Sequence, residues 1–92
     1  MNKLIQQNEN GIIWVQNEHG EEFGIISDID VLDWDNTRYD YDTFTVLENN
    51  GFQLEQNRDN GTTYIDFIEE NGETSRLVFS NNNVEIVEAS LL

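Results

Sequence analysis

Five of the six glycines in this 92-residue chain stand directly behind an asparagine or a histidine: Asn10-Gly11, His19-Gly20, Asn50-Gly51, Asn60-Gly61 and Asn71-Gly72. Asn and Gly reach positive φ at least cost, so an Asn-Gly pair between alternating apolar residues predicts a two-residue type I′ hairpin turn. The last three pairs recur at intervals of ten and eleven residues, the spacing of an antiparallel meander. Between the turns, Ile12–Asn17 and Glu21–Ser27 read as a first hairpin. Phe52–Asn57, Thr62–Glu69, Glu73–Ser80 and Val84–Glu88 read as a second group of four strands. Phe52/Leu54, Ile65/Phe67, Leu77/Phe79 and Val84/Ile86 alternate with period two, which predicts one buried face. Gln53/Glu55, Tyr64/Asp66, Arg76 and Glu85 fall on the other, mostly polar face.

The stretch 28–50 breaks this rhythm. Tyr41, Phe44 and Leu47 recur every three residues, with Asp40 or Asp42 as an N-cap. Gly51 as the first residue past the helix end would bring Phe52 back over Leu47. The expected fold is therefore α+β: a predominantly antiparallel meander of about six strands, with one short helix near 42–50 packed on the sheet. Leu, Ile, Val and Phe make up 27 of the 92 residues, above the roughly one-fifth below which a charged chain stays unfolded. The length suits a single compact domain spanning 1–92.

Charge narrows the function. Nineteen acidic residues stand against four basic ones, a formal net charge of −15, and Lys3 is the only lysine. Asn- and Ile-rich sequences usually carry many lysines, so the missing ones mark the negative surface as selected. The same composition argues against adaptation to high salt. Such a chain repels nucleic acid and anionic membrane, so neither is an expected partner, and the charge predicts a strongly basic protein partner instead.

The acids are not evenly spread. Asp28, Asp30, Asp33, Asp35, Asp40 and Asp42 place six carboxylates in fifteen residues, opposed only by Arg38. In an extended segment, residues i and i+2 point the same way about 6.7 Å apart, a spacing that can approximate a row of phosphates. Trp34, Tyr39 and Tyr41 interleave with the row and predict apolar anchors in an interface. Trp34 reads first as a core residue and second as an anchor. A second group, Asp66, Glu69, Glu70 and Glu73, surrounds the Asn71-Gly72 turn and extends the expected partner-binding set.

Other chemistries fare poorly. There is no cysteine, hence no disulfide, thiolate nucleophile or Cys-containing metal site. An EF-hand started at Asp33 has Thr37 as its third ligand, Arg38 at the glycine position and Phe44 at position 12; started at Asp28 it meets Leu32 and Asp33. His19, the only histidine, sits in a turn. No catalytic residue, cofactor or metal is expected, and the chain does not read as an enzyme. Its first eight residues lack the apolar run of a signal peptide, and no transmembrane-length run occurs, so a cytoplasmic protein is expected.

In size, charge, absent cysteine and aromatic-flanked Asp rows, the chain resembles the small acidic phage-encoded DNA-mimic inhibitors of anti-CRISPR, anti-restriction and uracil-DNA glycosylase inhibitor type. That resemblance rests on no specific motif. It implies a stoichiometric inhibitor that blocks the basic channel of a nuclease or CRISPR effector, acting in the host cytoplasm if phage-encoded. The alternative is an acidic immunity protein or antitoxin neutralising a basic nuclease toxin. Either a monomer or a homodimer fits, the latter through the apolar end Ala89-Ser90-Leu91-Leu92.

Overall fold

Positive-φ glycines do close the hairpins, but through a different turn from the one expected. In the computed structural model, which describes residues 2–7, 10–80 and 83–88, Asn36 is the only non-glycine at positive φ among the described residues. A type I′ turn needs two such residues in succession, so His19-Gly20 and Asn71-Gly72 cannot form one. Each is instead a three-residue loop, a type I turn whose last residue is left-handed. Gly20 N–H donates to Asn17 O at 3.1 Å while Asn17 N–H donates to Glu21 O at 3.0 Å. Gly72 N–H donates to Glu69 O at 2.9 Å and Glu69 N–H to Glu73 O at 2.8 Å. Asn before Gly serves here through its side chain: Asn71 Oδ1 accepts from Glu73 N–H at 2.9 Å.

The described elements run β1 (Lys3–Gln7), β2 (Ile13–Gln16), β3 (Glu22–Ile25), β4 (Val31–Leu32), α1 (Thr43–Asn49), β5 (Glu55–Gln56), β6 (Thr63–Ile68), β7 (Thr74–Ser80) and β8 (Asn83–Glu88). The class is α+β and mostly antiparallel, as expected, with eight described strands where about six were read. The order β4-β3-β2-β1-β6-β7-β8, with β5 also on β6, makes two antiparallel meanders. They join where β1 meets β6 in parallel, through the single pair Lys3↔Ile68. β1 and β4 were not foreseen. The expected strand Phe52–Asn57 shrinks to β5, because Phe52 turns inward to a buried site and ladder pairing with β6 starts only at Glu55.

The helix forms as its ends require. Asp42 is the N-cap, accepting from Thr45 N–H at 2.9 Å and Thr45 Oγ1 at 3.0 Å. At the other end Gly51, at φ 89, donates to Glu48 O and Phe52 N–H donates to Leu47 O at 3.0 Å. This is the Schellman pattern expected from Gly51 and Phe52. The first meander holds α1 at both ends: Thr43 Oγ1 donates to Ser27 O at 2.5 Å, and Asn17 Nδ2 to Asn50 O at 2.9 Å. Thr43 and Asn17 are buried, so these bonds also satisfy groups that burial would otherwise leave at a cost of 1–3 kcal/mol each, roughly.

Val46 and Leu47 enter the core between the two meanders, among Ile13, Val15, Phe23, Ile25, Ile65, Phe67, Leu77 and Phe79. Aromatic contacts bind the halves together. Phe52 lies edge-on to Phe23 of the first meander, with centroids 5.8 Å apart, and 6.0 Å from Phe67 of the second. Phe44 of α1 meets Phe79 edge-on at 5.0 Å. On the opposite face Leu32 is buried outside this cluster, in a cross-strand row with Gly24 and Trp14. A Cβ on Gly24 would stand 3.0 Å from the Trp14 ring and from Ile12 Cγ2, so the missing side chain is what lets the indole lie across β3. No described helix is long and apolar enough to cross a membrane.

Candidate partner-binding site

The acidic stretch 28–42 is not one extended row. It runs out along β4, turns at residues 33–37 and returns antiparallel beside its own start. Leu32 bridges Arg38, Tyr39 N–H donates to Val31 O at 3.0 Å, and Thr43 N–H donates to Asp28 O at 3.1 Å. The loop at its tip repeats the 17–21 loop bond for bond. Asp33 N–H donates to Thr37 O at 2.9 Å, Asn36 N–H donates to Asp33 O at 3.0 Å, and Asn36 takes the left-handed place at φ 64. The signal was present in Asp-Trp-Asp-Asn-Thr, where Asn stands for the glycine of the sister loops.

Folding back divides the carboxylates into groups with different tasks. Asp33 Oδ1 accepts from Asp35 N–H at 2.8 Å and Thr37 N–H at 2.9 Å, which shapes the tip. Asp42 caps α1, and the bonds from Thr45 hold its carboxyl below the usual carboxylate range. Asp30 faces Arg38, with Oδ1 2.7 Å from Nε and the two side chains 23% and 68% exposed respectively. That contact is ionic and not a directed bond, since Asp30 Oδ1 receives no aligned N–H. With Arg38 largely in water, it contributes at most about 1 kcal/mol. Asp35 is exposed at the tip and Asp40 on the returning arm, and Asp28 is half-buried at the base.

The aromatics divide too. Tyr39 packs on Phe23 at 6.1 Å and is half-buried; burial first, then the charges of Asp33 and Glu21, push its phenol above the ordinary value. It belongs to the core more than to a contact surface. Trp34, expected first in the core, is 55% exposed, and Tyr41 is 67% exposed. Ile29, which the sequence reading passed over, is 71% exposed. Among the described residues these three are the exposed large apolar side chains, and all lie on this one hairpin.

The second acidic group is placed on the other meander, at the β6–β7 turn. Asp66 is on the outer face, bound to Arg76 through Nε at 2.9 Å and Nη2 at 3.3 Å, and Arg76 lies 3.8 Å over the Tyr64 ring. The Asp66 bonds raise the Arg76 pKa above its already high ordinary value. Glu69 Oε1 accepts from Ser75 Oγ at 2.9 Å, while Glu70 and Glu73 are exposed. β4 and β6 are separated by three strands in the sheet order, so the two acidic groups form two patches. No group of three or more His, Asp or Glu side chains among the described residues is arranged to hold a metal ion. The residues 89–92, considered as a pairing surface, lie outside the described residues. No family model matches the chain, and neither the curated proteins nor the solved structures yield a match.

Proposed function

We propose that this chain is a stoichiometric protein inhibitor that sets carboxylates where a nucleic acid sets phosphates, and so occupies the basic channel of a nuclease, CRISPR effector or DNA-processing protein. One observation carries the reading: among the described residues, the three exposed large apolar side chains lie on the same hairpin as six aspartates. A solvated acidic loop has no use for an exposed Trp, Tyr and Ile. An interface does, because desolvating charge pairs roughly cancels their attraction, and apolar anchors then supply net affinity. Asp35 and Asp40 steer the encounter; Trp34, Tyr41 and Ile29 hold the complex.

The test is affinity capture from cell lysate at about 0.15 M salt, followed by competition with duplex DNA and with RNA. The wild-type chain is compared with D35N/D40N and with W34A/Y41A. A retained basic protein that nucleic acid displaces is expected, with association slowed about tenfold by D35N/D40N at low salt. W34A/Y41A is expected to speed dissociation instead. Equal capture by all three chains overturns the hairpin as the binding face. A single nuclease that no nucleic acid displaces turns the reading into an immunity protein.

A further inference from the structure

The parallel seam between the meanders leaves a slot. β1 and β6 pair only at Lys3↔Ile68, after which the chain leaves β6 in the Glu69–Glu73 turn. β1 continues to Gln7, bonded to β2 on one side, with no further partner among the described residues on the other. Two adjoining hollows of about 400 and 440 Å³ open there, sharing Leu4, Ile5, Glu69 and Glu70, with Ile86 flooring the first. Among the described residues the seam therefore combines a β1 edge left unpaired beyond Lys3, an apolar floor and an acidic rim.

We infer that this slot takes a short extended basic segment of a protein partner, which adds to the edge of β1 and sets lysine or arginine side chains against Glu69 and Glu70. An open strand edge is a template for main-chain pairing, with side-chain pockets supplying selectivity. Lys and Arg suit these hollows because their aliphatic stems cover apolar surface while the head reaches a carboxylate. Glu69 is already oriented by Ser75, and Glu70 is exposed. Lys3 stands at the closed end of the slot, so the segment's cations belong at the Glu69–Glu70 end. A second copy is a poor occupant, since it would bring another −15 to the same rim. The inference rests on the proposed function only for the partner's positive charge, and the slot is separate from the 28–42 hairpin.

The test uses a capped peptide of alternating lysine and valine, followed by amide NMR and hydrogen exchange on the full chain. Its glutamate–valine counterpart and an N-methylated version that cannot donate main-chain hydrogen bonds are the controls. The lysine peptide is expected to shift resonances of residues 4–7 and 69–72 and to slow exchange along β1. Both effects are expected to vanish with N-methylation, and affinity to fall about tenfold in E69Q/E70Q, where Gln keeps the acceptor for Ser75. Shifts confined to residues 28–42 overturn the slot while leaving the proposed inhibitor face intact. Equal binding by the N-methylated peptide, or protection of β1 by raising protein concentration without peptide, also overturns it.

Discussion

Asp33 and Asn17 hold equivalent places in two loops of the same geometry, which separates the charge of the aspartate from its shape. Asn17 Oδ1 accepts from His19 N–H at 3.0 Å and Glu21 N–H at 2.9 Å, as Asp33 Oδ1 does from Asp35 and Thr37. D33N is therefore expected to keep the tip and cost less than about 0.5 kcal/mol, whereas D33A strands two N–H groups and costs about 1–2 kcal/mol. Urea denaturation checks both, and equal losses would show that the loop does not depend on that acceptor. Tyr39 carries a second expectation. Its phenol is raised by burial and by neighbouring carboxylates, so the native state holds the proton more tightly than the unfolded chain. The resulting stability is fully present below about pH 10, the unfolded value, and is lost as pH rises through the folded one. Y39F should lessen the alkaline loss of stability; identical alkaline melts of the two chains would rule the linkage out.

At the scale of elements, α1 is seven residues long, too short to persist by propensity alone. Its caps and the bonds from Thr43 and Asn17 carry it. D42A is expected to cost about 1 kcal/mol near neutral pH. Because Asp42 is held below its ordinary value by the bonds from Thr45, its contribution is present above the unfolded value near pH 3.9 and disappears as pH falls through the folded one. The gap between wild type and D42A in urea melts should narrow as the pH is lowered from about 6 through the range where Asp42 is protonated. A constant gap would mean that the carboxylate charge adds nothing to the cap. The helix and its two caps were legible because each signal sits within a few residues: Asp42 before Thr45, Gly51 after Asn50, Phe52 after Gly51. β1 was not legible: it pairs locally with β2, but the parallel contact Lys3↔Ile68 that makes it the seam of the sheet joins residues more than sixty positions apart.

The whole molecule measures 33 × 29 × 26 Å. At 0.01 M salt the screening length is about 30 Å, so every carboxylate acts on every other, whereas at 0.1 M it is about 10 Å. Arg38 is paired with Asp30 and Arg76 with Asp66, and with nineteen acidic residues against four basic ones the remaining repulsion is global. The melting temperature is expected to rise by about 5 °C or more between these salt concentrations, equivalent to about 1 kcal/mol for a domain this size. Sucrose at matched osmolality controls for exclusion effects. A flat or falling response to NaCl would mean that self-repulsion is not a sizeable term in stability.

Two kinds of information meet in this chain. The alternation of Ile65/Phe67 and Leu77/Phe79, the helix ends at Asp42 and Gly51, and the concentration of aspartate between 28 and 42 are determined locally, by period, by φ preference and by composition. Turn geometry was only half determined there: Gly72 had to be left-handed, but the type I path was chosen by the strands it joins. Whether Trp34 faced the core or water, whether the aspartates formed a row or a hairpin, and whether β1 would cross to β6 were decided by the tertiary structure. Exposure depends on what packs over a side chain from elsewhere in the sequence. Trp34 stands in the 33–37 turn, apart from the core of Phe23, Phe52, Phe67 and Leu47, and with too little packed over it from elsewhere its indole is left 55% exposed.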